Sequence, residues 1–215
     1  MVQRIAIIDY GSGNLRSVEK AFERAARELG AAIVFEVTGE PEQIRIADRL
    51  VLPGVGAFGA CMKALSDRPG MLEAVEHNAL VVARPFLGIC VGMQLLADQG
   101  HEFGASKGLG WIVGNVRSLD RRNPELRSPH MGWSEISVLT PHPVMDGLDG
   151  EAFYFAHSYH FEVENDAHLA GVCDYGGAIT ACVARDNIVG VQFHPEKSQH
   201  AGIALLKNFL QWTPT

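Results

Sequence analysis

An α/β fold is what this sequence predicts: a central, mostly parallel sheet covered by helices on both faces and extended by antiparallel strands. Three observations carry it. Short β-branched apolar runs alternate with segments of helical spacing in the first half, the pattern of a parallel sheet with crossover helices. The runs ending at Asp9 and Leu52 lead directly into glycine-rich turns. From about Trp111 the texture changes to shorter strand-like runs separated by Gly, Pro, Asn and Asp. The chain has 215 residues, 47% hydrophobic and 20% charged, enough for one sizeable core, so a single domain over 1–215 is expected.

In chain order, residues 4–9 read as a strand, and the turn at 10–14 leads into a helix with Leu15, Val18, Ala21, Phe22 and Ala25 on one face. A strand at 32–37, a short helix at 41–46, a third strand at 49–52 and a helix opening over 60–65 repeat the unit. Beyond Trp111, strands are expected at 112–119, 135–139, 152–159, 168–173, 179–184 and 188–193, as antiparallel or mixed additions to the sheet. A helix at 201–212 closes the chain, with Ile203, Leu206, Phe209 and Leu210 facing inward.

Composition excludes several classes of partner. A net charge of −7 with no Lys/Arg run argues against nucleic acid and anionic membrane surfaces. The apolar run at 5–8 is too brief for a signal segment, and no stretch reaches the roughly 18 residues of a membrane helix, so a cytoplasmic protein is expected. Four cysteines, Cys61, Cys90, Cys173 and Cys182, form no C-x-x-C pair, which points to reduced thiols.

One of the four has a context for chemistry. Phe-Leu-Gly-Ile-Cys-Val-Gly-Met-Gln at 86–94 is an apolar strand running into Gly-x-Cys-x-Gly and then into a helix-forming segment. A nucleophile on such a sharp turn needs small residues two positions to either side, and Gly88 and Gly92 supply them. At the N-terminus of the following helix, free N–H groups would stabilise a Cys90 thiolate. Cys61, Cys173 and Cys182 lack this setting and read as core thiols.

Near the C-terminus, the strand at 188–193 delivers His194, followed by Pro195 and Glu196. Proline disfavours helix at the preceding residue, and an extended backbone would turn residues 194 and 196 to the same side. A carboxylate there can accept one imidazole N–H, fix the tautomer and leave the other nitrogen for a thiol.

Gly-Ile-Cys-Val-Gly-Met-Gln at 88–94 with Gln-Phe-His-Pro-Glu at 192–196 resembles the paired signature of class I glutamine amidotransferases, in order and spacing over nearly the whole chain. The resemblance implies a flavodoxin-like α/β sheet with extra strands, and no cofactor. It makes Cys90 the nucleophile, His194 the general base and acid, and Glu196 its orienter. It places the oxyanion hole on Val55 and Gly56, assisted by the Val91 amide. Gly54, Gln94 and the segment His157, Ser158, Tyr159 would hold the substrate L-glutamine. Helical spacing alone would make Gln94 a half-exposed polar residue.

Two motifs read as decoys. Gly54, Gly56 and Gly59 spell Gly-x-Gly-x-x-Gly, but after the third strand, behind Pro53, and with helical acids (Glu73, Glu76) where a strand-ending acid is needed for dinucleotide binding. His157-x-x-His160 on one strand would point its rings to opposite faces, so no metal site is expected.

Further stretches, Asp-Tyr-Gly-Ser-Gly-Asn-Leu at 9–15, Pro-Gly-Val-Gly-Ala-Phe at 53–58, Pro-His-Met-Gly-Trp at 129–133 and Phe-Ala-His-Ser-Tyr at 155–159, resemble the glutaminase subunits of imidazole glycerol phosphate synthase. That likeness implies a (βα)8 cyclase partner in a heterodimer that uses the ammonia for histidine biosynthesis. Asn14, Trp133 and Lys197 are expected near the mouth facing that partner. The rival readings are another cysteine hydrolase on this fold, which the motif at 192–196 opposes, and a silent interaction subunit, which the intact Cys, His and Glu oppose.

Overall fold

The computed structural model describes residues 2–121 and 127–214, and residues 122–126 of the expected single domain lie outside that description. Among the described residues, nine strands form one sheet and four a second, smaller one. The large sheet runs β2 (Ile33–Thr38), β1 (Gln3–Ile8), β3 (Arg49–Gly54), β4 (Phe86–Cys90), β13 (Ile188–Val191), β12 (Ala178–Arg185), β11 (Leu169–Asp174), β8 (His130–Val138), β9 (Ala152–His157). The first five are parallel and the rest antiparallel. The expected class is therefore observed, and its cause is visible in burial. Strands β3, β4 and β13 are buried along their full length, as sheet strands covered on both faces must be.

Helices α1 (Leu15–Leu29) and α6 (Gln199–Gln211) share one face of the sheet, where Phe22 meets Phe209 edge-on at 6.1 Å. Gly30 ends α1 in the left-handed region at φ 63°, its N–H returning to the carbonyls of the last turn. Beyond the predicted α2 (Pro41–Arg45) and α3 (Phe58–Ser66), the chain forms α4 (Met71–Glu76), which continues into one π turn, His77–Val81.

Two expectations are corrected. The run 152–159 is two strands, not one: β9 ends at His157, Ser158 turns the chain, and β10 (Tyr159–Val163) pairs with β7 (Gly114–Ser118) in the small sheet, together with β5 (Gln99–Gly100) and β6 (Ser106–Lys107). Two of the later strands, β7 and β10, thus build a separate sheet with β5 and β6 instead of widening the first. The helix after Cys90 is also far shorter than its apolar sequence suggests: α5 spans only Val91–Gln94. The carbonyls that would continue it are taken from outside, Leu95 O by Leu109 N at 2.8 Å and Leu96 O by Trp111 N at 2.9 Å.

Candidate active site

Because β3, β4 and β13 are adjacent and parallel, their C-terminal ends open on one edge of the sheet, the edge where ligands bind in open α/β folds. Gly54 is the register partner of Cys90, and Val191 of Ile89, so the glycine loop, the cysteine and the histidine segment arrive side by side.

Cys90 sits at φ 56°, ψ −114°, an unfavourable backbone for a residue with a side chain, held between β4 and α5. The flanking glycines make this possible. A Cβ on Gly88 would lie 2.6 Å from Gly92 O, and one on Gly92 would lie 1.8 Å from Leu52 O. Gly92→Ala therefore cannot be accommodated without moving β3 against β4. Unfolding by urea should show a loss of about 3 kcal/mol or more. A wild-type midpoint would show that the turn is not sterically locked.

His194 is buried and extended (φ −104°, ψ 96°), anchored by its N–H to Tyr154 O at 2.9 Å and through its carbonyl by the Ser198 hydroxyl at 2.6 Å. Its Nδ1 lies 2.9 Å from Glu196 Oε1, and both side chains are almost fully enclosed. The backbone reaches this pairing differently from the extended run expected, because Pro195–Lys197 is a single 3₁₀ turn that folds the carboxylate back under the ring. Packing drives it: α6 lies so close that a Cβ on Gly202 would fall 1.9 Å from Pro195 O. Burial alone would push the imidazole down, but the Cys90 thiol and the Glu196 carboxylate outweigh it and raise it to about 9.

A cleft of about 540 Å³ opens over these groups. Cys90, His194, Val55, Gly56, Val91, Gln94, His157, Ser158, Tyr159 and Lys197 all line it, whereas Gly54, Glu196, Asn14 and Trp133 lie outside its lining. Gly54 is buried beneath, where a Cβ would meet Tyr10 Oη at 2.7 Å and Gly92 N at 2.8 Å. Trp133 contacts Tyr154 edge-on at 6.0 Å, and Lys197 Nζ sits 5.6 Å over the same ring. Asn14 is exposed and accepts the first helical N–H bonds of α1 through its backbone carbonyl.

Several features of the site were not legible in the sequence. Gln94 is buried, not half-exposed: its Nε2 donates to Tyr159 O and to Gln192 Oε1, both at 2.9 Å. Gln192 in turn directs its Nε2 to Cys90 Sγ at 3.8 Å. Its place in the histidine motif was a signal, but its partner across the cleft was not. Ser12, expected in a turn with an interface role, uses one hydroxyl to accept from Val55 N at 3.2 Å and donate to Val55 O at 2.6 Å. Glu102 accepts from Phe58 N at 2.8 Å, and Glu102 and Phe103 close one rim. His157 and His160 fall on different strands, and among the described residues no cluster of three or more His, Cys, Asp or Glu could hold a metal.

The glutamine amidotransferase class-I family profile matches residues 6–212. The chain belongs to the class-I glutamine amidotransferase family. The imidazole glycerol phosphate synthase subunit HisH of Brucella abortus (strain 2308) is 51% identical over 215 residues, covering 98% of this chain and 100% of that protein. The HisH subunit of Rhodospirillum rubrum is 53% identical over 213 residues, with the same coverage. Similarity to HisH subunits thus runs along the whole chain, not only through its signature motifs. In fold, it matches a crystal structure of a glutamine amidotransferase with TM-score 0.71 at 17% identity, over 96% of this chain and 97% of that one. A glutamine amidotransferase from Thermotoga maritima matches with TM-score 0.62 at 17% identity, over 98% and 96%.

Proposed function

We propose that this chain hydrolyses L-glutamine as the glutaminase subunit of imidazole glycerol phosphate synthase and passes ammonia to a (βα)8 cyclase subunit in the cytoplasm. The observation that carries the chemistry is the enclosed His194–Glu196 pair beside a cysteine held on a strained turn. Cys90 Sγ, as thiolate, attacks the glutamine Cδ, and the carbonyl electrons move onto oxygen. The His194 imidazolium gives its proton to the leaving nitrogen, releasing ammonia and a γ-glutamyl thioester. Neutral His194 then takes a proton from water as that water attacks the thioester, and cleavage of the C–S bond releases glutamate and returns the thiolate beside the His194 imidazolium. Glu196 holds Nδ1 throughout and stabilises the imidazolium. No helix among the described residues is long and apolar enough to cross a membrane.

Val55, Gly56 and Val91 are the proposed oxyanion donors. A gate at Val55 is supported by its bonding, since its N–H is engaged by the Ser12 hydroxyl. In this reading the cyclase, with its nucleotide bound, docks against Asn14, Trp133 and Lys197 and turns the Val55 peptide toward Cys90. One such donor is worth on the order of 3 kcal/mol in the transition state. Glutamate formation measured with and without the cyclase and its ligand tests this directly. Activation of about a hundredfold is expected, and equal rates would sink the gate. Ser12→Ala should raise the rate of the free chain roughly thirtyfold, because two bonds of about 1 kcal/mol each no longer hold the peptide, which keeps only the Cys61 Sγ contact to Val55 O at 3.4 Å. An unchanged basal rate would show that Ser12 does not restrain it.

A further inference from the structure

We propose that His130 is a positioning residue for the glutamine pocket, fixing the tautomer of His157 and through it the Tyr159 carbonyl in the cleft wall. The inference rests on the glutaminase reading and concerns groups outside the proposed triad. His130 on β8 and His157 on β9 are register partners, and both rings are buried. His157 Nδ1 lies 2.8 Å from Tyr159 O, His157 Nε2 lies 3.0 Å from His130 Nδ1, and His130 Nε2 lies 2.9 Å from Ser134 Oγ.

A carbonyl only accepts, so His157 Nδ1 carries hydrogen. Burial pushes His157 to about 3 and His130 to about 4, so both rings are neutral near pH 7. His157 Nε2 must then accept, His130 Nδ1–H must donate, and His130 Nε2 is left to accept from the Ser134 hydroxyl. The ring of His130 is held in place as well, stacked between Tyr175 at 4.0 Å and Phe155 at 4.8 Å.

The line does not stop at the carbonyl. Tyr159 O also accepts from Gln94, whose Nε2 reaches Gln192, which points at Cys90 Sγ. A continuous set of directed bonds therefore joins β8, beside its exposed Met131 and Trp133, to the nucleophile. Without the His130 donor, His157 can move its hydrogen to Nε2 and release the Tyr159 carbonyl. The wall of the pocket then loosens while the thiol stays in place.

The test separates pocket from thiol. 6-Diazo-5-oxo-L-norleucine, a glutamine analogue, reports the pocket through KI and kinact for Cys90, and iodoacetamide reports the bare thiol. His130→Phe keeps an aromatic ring between Phe155 and Tyr175 but donates nothing. Its KI should rise roughly tenfold, with kinact and the iodoacetamide rate within about twofold of wild type. His130→Asn, which restores an N–H near the Nδ1 position, should recover part of the loss. Ser134→Ala, on a half-buried position, should raise KI in the same direction and serves if His130→Phe does not fold. Nitrogen-15 spectra of the wild type should show His157 as the Nδ1–H tautomer. An unchanged KI in the folded variants, equal loss with both reagents, or an Nε2–H tautomer at His157 overturns the proposal. Failure of the analogue to label wild-type Cys90 would instead remove the glutaminase reading beneath it.

Discussion

Cys90→Ala is expected to abolish glutamine hydrolysis, by roughly ten thousandfold or more, while the protein stays folded. Alanine cannot form the γ-glutamyl thioester, and His194 and Glu196 have nothing to activate without it. The fold should tolerate the change because Gly88 and Gly92, which permit the turn, remain, and alanine places the same Cβ at this positive φ as cysteine does. The loss of one buried sulfur costs about 1 kcal/mol, much less than the stability of a domain this size. The measurement is glutamate formation in the presence of the cyclase and its ligand, with thermal unfolding as the control. Labelling by a glutamine-analogue electrophile should fall on Cys90 alone. Cys61, Cys173 and Cys182 are buried, and burial pushes their thiols up, Cys173 to about 12. Turnover at the wild-type rate in Cys90→Ala would end the whole reading.

The second large effect belongs to His194. His194→Ala removes both the proposed leaving-group acid and the proposed hydrolytic base, and a loss of roughly a thousandfold or more is expected. It also strands the Glu196 carboxylate, whose side chain is 2% exposed and whose Oε2 has no hydrogen-bond partner among the described residues. A fall in stability should therefore accompany the loss of rate, on the order of 3 kcal/mol. Glu196→Gln should be milder, about ten- to a hundredfold, because the imidazole keeps a neutral partner. The pH profile separates the roles. With His194 raised to about 9, the proton needed by the leaving nitrogen is present below that pH and lost above it. The rate should fall as pH rises through about 9. Removing the carboxylate charge in Glu196→Gln takes away one of the effects that raise the imidazole, so the fall should begin at lower pH. A profile identical to wild type would make Glu196 a bystander beside Pro195.

Features set by single residues and their immediate neighbours were legible from the chain alone. The glycines around Cys90 are required by the turn itself, and the added-Cβ distances of 2.6 and 1.8 Å give the reason. Pro195 made an extended His194 predictable. Alternation of strands and helices was enough for the parallel half of the sheet, because strand burial leaves its mark in every residue of β3 and β4. Local pattern failed where other parts of the chain competed for the same backbone. The apolar residues after Gln94 suit a helix, yet their carbonyls are claimed by residues 109–112.

By itself, then, the sequence determined the class of fold, the cysteine on its strained turn, and the histidine followed by its carboxylate. Only the tertiary structure decided how these are held. Gln94 and Gln192 bond across 98 residues of chain, Ser12 and Val55 across 43, and His130 and His157 across 27. Steric demands at a turn act within a few residues and are written locally. A hydrogen bond between distant side chains exists only once strand order and register have brought donor and acceptor within about 3 Å, and no local pattern encodes that meeting.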